Sequence, residues 1–115
     1  MKPFVIPAAK HADFTEGKPL GKPVGDRVPE ARFAFANVQE SEGIATGIWQ
    51  CTEGKFIREV AQAEFSYFIE GKGYFTPEGE EPLAFKAGES IYFSANTQGV
   101  WTIEEPVTKS YIIFS

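Results

Sequence analysis

The chain is 115 residues long, 43% hydrophobic and 15% aromatic, with a formal net charge of −5. That length accommodates one modest core, and the 11 phenylalanines can fill it without crosslinks. The acidic balance and the lack of a basic run exclude nucleic acid and anionic membrane surfaces as partners, since both would repel it.

The single cysteine, Cys51, has no partner for an internal disulfide, which fits a reducing compartment. The opening stretch MKPFVIPAAKHADF is broken by Pro3 and Pro7 and lacks the continuous apolar run of a secretory signal. Nothing approaches the length of a transmembrane helix. A cytoplasmic location is expected.

The first thirty residues carry Pro3, Pro7, Pro19, Pro23 and Pro29, with Gly17, Gly21 and Gly25 among them. Proline fixes φ and removes a backbone donor, so residues 1–30 read as an extended arm with turns and residues 31–115 as the folded body. Phe4, Val5 and Ile6 give the arm an apolar stretch that can dock on its own body or on a neighbouring subunit.

From Ala31 onward, short β-type runs alternate with turn residues. Strands are predicted near Arg32–Asn37, Ile44–Cys51, Lys55–Val60, Glu64–Glu70, Gly73–Thr76, Leu83–Phe85, Ser90–Phe93, Val100–Glu104 and Lys109–Phe114. Turn signals stand between them at Ser41-Glu42-Gly43, Glu53-Gly54, Gly71-Lys72-Gly73, Pro77-Glu78-Gly79, Ala87-Gly88 and Ala95-Asn96-Thr97. This spacing is that of a sandwich or barrel of short antiparallel strands. No window sustains a 3.6-residue apolar period, so the predicted class is all-β with minimal helix.

Alternation assigns faces. In Glu64–Glu70 one face carries Glu64, Ser66, Phe68 and Glu70, and the other Phe65, Tyr67 and Ile69. The second is the plainer core face, while the first is mixed, as a cavity lining would be. Ile91 with Phe93, and Trp101 with Ile103, make two further same-face pairs.

Three segments in order carry a family resemblance. GKFIREVAQAEFSYFIEG places six residues between Glu64 and Gly71; AGESIYFSANTQGVW opens its turn with Gly88 and ends on Trp101; EEPVTKSYIIF closes the chain. From Gly54 to Phe114 the chain resembles the cupin superfamily, and within it the small single-domain family related to the cupin domain of (S)-ureidoglycine aminohydrolase. The resemblance implies an antiparallel β-barrel of the jelly-roll, RmlC-like type. Gly71 is expected where a strand reverses after Glu70, and Gly88 at a tight turn, both positions that favour positive φ.

Active cupins hold a divalent metal through two or three histidines and a carboxylate or amide, because neutral imidazole suits such ions. By position those sites fall here at Arg58, Val60 and Glu64 on the first segment and at Gly99 on the second. If the motif is counted one residue longer, the first two become Ile57 and Glu59. The sole histidine, His11, lies in the arm. No metal and no cofactor are therefore expected, and Glu64 survives as the candidate catalytic group.

Arg58 has two open placements: inside, paired to Glu64 in place of a metal, or on the surface. Trp49, Tyr67, Trp101 and Tyr111 are either pocket walls or plain core. Gln98 and Trp101 flank the second ligand position and are the stronger pocket candidates. The ligand-binding set is thus Arg58, Gln98, Trp101, Tyr67 and Trp49. Cys51 is expected to be a buried inert thiol.

Three functions follow. One is a metal-free small-molecule binding protein with its pocket around Glu64. The second is an enzyme acting on a small nitrogenous or sugar-like compound, an aminohydrolase-like hydrolase or an isomerase, with Glu64 as acid or base. The third is a structural or partner-binding subunit. A homodimer is expected, since a small barrel has sheet edges to cover.

Overall fold

The computed structural model describes residues 3–36 and 44–114. Asn37, at the end of the first predicted strand, and the predicted turn Ser41-Glu42-Gly43 lie outside them. The arm contributes one 3-10 turn (Ala9–His11) and two short strands, β1 (Lys18–Pro19) and β2 (Pro23–Val24). The body follows with β3 (Glu30–Ala36), β4 (Ile44–Cys51), β5 (Gly54–Val60), β6 (Glu64–Pro77), β7 (Leu83–Lys86), β8 (Ser90–Phe93) and β9 (Thr97–Phe114). Among the described residues no α-helix forms, and no helix is long and apolar enough to cross a membrane.

All strand pairs are antiparallel, in the order β1-β3-β4-β9-β5-β2, with β6 bound to β9, β7 and β8. β9 is the spine. Its second half lies between β4 and β6, and its first half between β5 and β6. The sheet thereby curls on itself into the barrel that the family resemblance implied.

Two expected breaks are not there. The segments read as separate strands around Gly71-Lys72-Gly73 are the single β6, and Val100–Glu104 continues through to Lys109–Phe114 as β9. Gly71 does not reverse the chain; it bends it. Its φ is +93°, register shifts fall at Phe68/Glu70, Glu70/Lys72 and Lys72/Gly73, and a Cβ at this position would run into the Pro106 carbonyl and lie 2.8 Å from the Val107 Cα. A bulge satisfies the same positive-φ demand as a turn while the ladder with β9 continues, which is why the local signals look alike. Gly88, also at φ +93°, does stand in the turn before β8.

In the first half of β6 the face expected to be core lies outside, while the mixed face expected to line a cavity lies inside. Glu64, Ser66 and Phe68 point inward, whereas Phe65, Tyr67 and Ile69 are each more than 40% exposed. Trp101 is the hub of the interior, with the rings of Trp49, Phe56, Phe68, Phe75, Phe85 and Phe93 at centroid distances of 5.2–6.5 Å. Mixed edge-on and stacked contacts of this kind add to simple area burial.

Candidate functional site

The strand register builds the site. Glu64, Ser66 and Phe68 on β6 face Ile113, Tyr111 and Lys109 on β9, which in turn face Ala45, Gly47 and Trp49 on β4. One inward surface therefore carries a carboxylate, a hydroxyl, a phenol and an ammonium. On the other half of β9, Arg58 of β5 is opposite Gly99, and Phe56 opposite Trp101. A side chain at Gly99 would collide with the Thr76 carbonyl and the Phe75 ring, at 2.7 Å from the latter, so the backbone closes that wall.

Between these surfaces lies a cavity of about 190 Å³ lined by Leu20, Phe33, Trp49, Phe56, Arg58, Glu64, Trp101, Lys109, Tyr111 and Ile113. Its polar centre is a closed trio. Lys109 Nζ donates to Glu64 Oε2 at 2.7 Å and to Ser66 Oγ at 2.9 Å, and Ser66 Oγ donates to the same carboxylate oxygen at 2.9 Å. The lysine nitrogen also lies 4.9 Å from the Trp49 ring centroid and 5.2 Å from that of Trp101, so cation–π attraction adds to the ion pair. All three trio residues are buried.

Arg58 stands at the rim. Its Nη2 is 3.5 Å from Glu64 Oε1, its Nη1 donates to the Glu59 carbonyl, and its side chain is 42% exposed. The surface and interior placements open from the sequence are thus both partly realised.

Burial alone would push the Glu64 carboxyl up, but the Lys109 charge, hydrogen bonds from Lys109 and Ser66, and the Arg58 charge outweigh it and hold the group below its ordinary value. Burial pulls the Lys109 ammonium down, helped by the Arg58 charge and opposed by Glu64. At 2.7 Å the Lys109–Glu64 contact has the length of a charge-assisted hydrogen bond. Burial pushes the Tyr111 phenol up to about 12, with the Glu64 charge adding to it. Its hydroxyl is buried and has no hydrogen-bond partner among the described residues.

Among the residues singled out from sequence, Glu64, Arg58, Trp49 and Trp101 converge on this cavity, and Tyr111 with them. Two do not. Gln98 is exposed and pairs with Glu59 on the outer face, because strand alternation places it opposite in sense to Gly99 and Arg58. Tyr67 is 43% exposed, on the outer side of the strand whose inner side carries Glu64 and Ser66. The longer motif count fails likewise, since Ile57 and Glu59 face outward. Cys51 is buried, and burial pushes its thiol up to about 12 despite the nearby Lys109 charge. His11 is exposed in the arm.

The sequence reading missed Lys109 and Ser66. A signal was present: Lys109, Tyr111 and Ile113 alternate on one face of the closing strand, and a lysine in step with two apolar residues is a candidate for an inward charge.

The divalent metal held by many proteins of this architecture does not fit these donors. The one inward carboxylate already has an ammonium at 2.7 Å and a guanidinium at 3.5 Å, and both would repel a cation. Among the described residues no cluster of three or more His, Cys, Asp or Glu side chains is placed to bind one.

A curled antiparallel sheet around a cavity on the inner faces of its long strands is the architecture expected of a cupin. The chain belongs to the EutQ-like cupin domain family, which matches residues 38–111. Solved structures agree on the fold. The EutQ protein of Clostridium difficile superposes with a TM-score of 0.67 at 16% identity, covering 75% of this chain and 68% of that one. A protein of unknown function from Pseudomonas syringae pv. tomato gives 0.78 at 20% identity, covering 90% of this chain and 45% of that one. Ectoine synthase from P. lautus gives 0.65 at 11% identity, covering 81% and 68%. No curated protein matches the chain in sequence.

Proposed function

We propose that this cupin is a small-molecule binding protein that works without a metal, its binding cavity organised by Lys109, Glu64 and Ser66. The observation that carries the reading is the Lys109 ammonium, held at 2.7 Å from Glu64 and 2.9 Å from Ser66 inside the barrel. The hydrogen-bonded trio fixes a polar wall inside the barrel against which a small ligand can be oriented. The cavity, at about 190 Å³, is below the roughly 300–1,000 Å³ of sites for drug-sized ligands, so its ligand is small.

Both tryptophans of the chain line the cavity, which supplies a direct assay. A panel of small carboxylates, amides, amines, ureides and sugars is screened by intrinsic fluorescence and thermal shift on metal-analysed protein. Saturable quenching with a raised melting temperature is expected for at least one class. Unit occupancy by zinc, manganese or iron in the purified protein would overturn the metal-free reading.

An enzymatic reading has one observation in its favour, the burial of a lysine with a lowered pKa inside a cavity. It moves the acid–base role from Glu64, which is held ionised and is a weak base, to Lys109. The aminohydrolase chemistry implied by the sequence resemblance is disfavoured, because it relies on a metal. A homodimer is supported by the apolar outer face of Phe65, Tyr67 and Tyr92, and light scattering tests it. The free, buried Cys51 is compatible with a cytoplasmic location.

A further inference from the structure

We infer that the cavity takes a small monocarboxylate with a flat apolar body, its carboxylate on Arg58 and its body against Trp49, Phe56 and Trp101. The inference rests on the small-molecule reading above and adds the ligand's chemical class.

Charge comes first. Three ionised side chains line the cavity: Glu64, Lys109 and Arg58. Glu64 and Lys109 neutralise one another at 2.7 Å. Arg58 approaches Glu64 only to 3.5 Å, too long for a good hydrogen bond, and spends one donor on the Glu59 carbonyl. The cavity thus carries one net positive charge, on a half-exposed guanidinium with donors to spare, although the chain as a whole is at −5. A guanidinium presents a planar fork that matches a carboxylate in two parallel hydrogen bonds. A cationic ligand would be repelled by that net charge, and a dianion would carry more charge than the site can balance.

The remaining walls set the body. Leu20, Phe33, Trp49, Phe56, Trp101 and Ile113 are apolar. A cavity of about 150 Å³ with such a lining accepts benzene, so about 190 Å³ accommodates one ring and a carboxylate. Tyr111 adds a second, independent pointer. Tyr111 lines the same cavity; its hydroxyl is buried without a partner among the described residues, and it remains a protonated donor at neutral pH. A buried donor left unpaired is costly, and a carboxylate oxygen satisfies it.

The test is titration calorimetry of the full chain at pH 7 with sodium benzoate, benzamide and benzylamine. These share a ring and differ in charge. Benzoate is expected to bind at one per chain, benzamide about tenfold more weakly, and benzylamine without measurable heat. Arg58→Gln is expected to reduce benzoate affinity to the benzamide level, with Arg58→Lys in between, and Tyr111→Phe to weaken benzoate severalfold. Arg58 is half exposed, so its variants should keep the wild-type melting temperature within a few degrees. Benzamide binding as tightly as benzoate, benzylamine binding best, or an unchanged Arg58→Gln each overturns the carboxylate assignment. So does an absence of heat with all three on protein of native circular dichroism. The broader binding reading falls only if the wider fluorescence panel is also silent.

Discussion

Replacing Lys109 with methionine isolates the energetics of the site. Methionine is close in length and apolar, so the loss is the ammonium and little volume. Glu64 then keeps Ser66 and a 3.5 Å contact with half-exposed Arg58, but loses its 2.7 Å partner in a dry interior. Removing one member of a buried pair costs about 3–5 kcal/mol, and the residual Arg58 contact places this case at the lower end. Glu64→Leu combined with Lys109→Met removes both charges, which is often neutral or stabilising. It strands the Ser66 hydroxyl, however, which is fully buried and has both its hydrogen bonds within the trio, at about 1–3 kcal/mol. Adding Ser66→Ala is therefore expected to return stability to the wild-type level or above. Urea denaturation and thermal melting, both followed by tryptophan fluorescence, measure the series, with the single variant melting roughly 10–20 °C lower. A loss under about 1 kcal/mol for Lys109→Met alone would refute the reasoning, since only a solvated pair is so cheap to break.

Three further outcomes are expected. Because Glu64 is held below its ordinary value of 4.5, the unfolded chain binds the extra proton between the two values. Its contribution is then complete above about pH 4.5 and lost as pH falls through the folded value; urea midpoints from pH 3 to 7 should show this slope in wild type and not in Glu64→Gln. Cys51, its thiol at about 12, should resist a disulfide reagent at pH 8 until denaturant is added, and rapid labelling of the native protein would count against its burial. Gly71→Ala, at φ +93° and against the Pro106 carbonyl, should lower stability by about 1–3 kcal/mol by thermal melting.

Some of this was determined by the sequence alone. Turn residues at short intervals and β-rich runs between them specified an all-β sandwich or barrel, because strand propensity and turn chemistry are local properties. The family resemblance, and not strand texture, singled out Glu64 and Arg58, which the structure brings to one cavity with Trp49 and Trp101. The local reading failed where the answer depends on a partner strand. Whether Gly71 turns or bulges is decided by the ladder between β6 and β9, and local signals for the two coincide. Which face of Glu64–Glu70 lies inside was decided by Lys109, 45 residues away from Glu64 in sequence. Phe65, Tyr67 and Ile69 are more apolar than Glu64, Ser66 and Phe68, so hydrophobicity by itself chose the wrong face. A carboxylate and a hydroxyl go inside only when a third group satisfies them, and that group arrives with the tertiary fold.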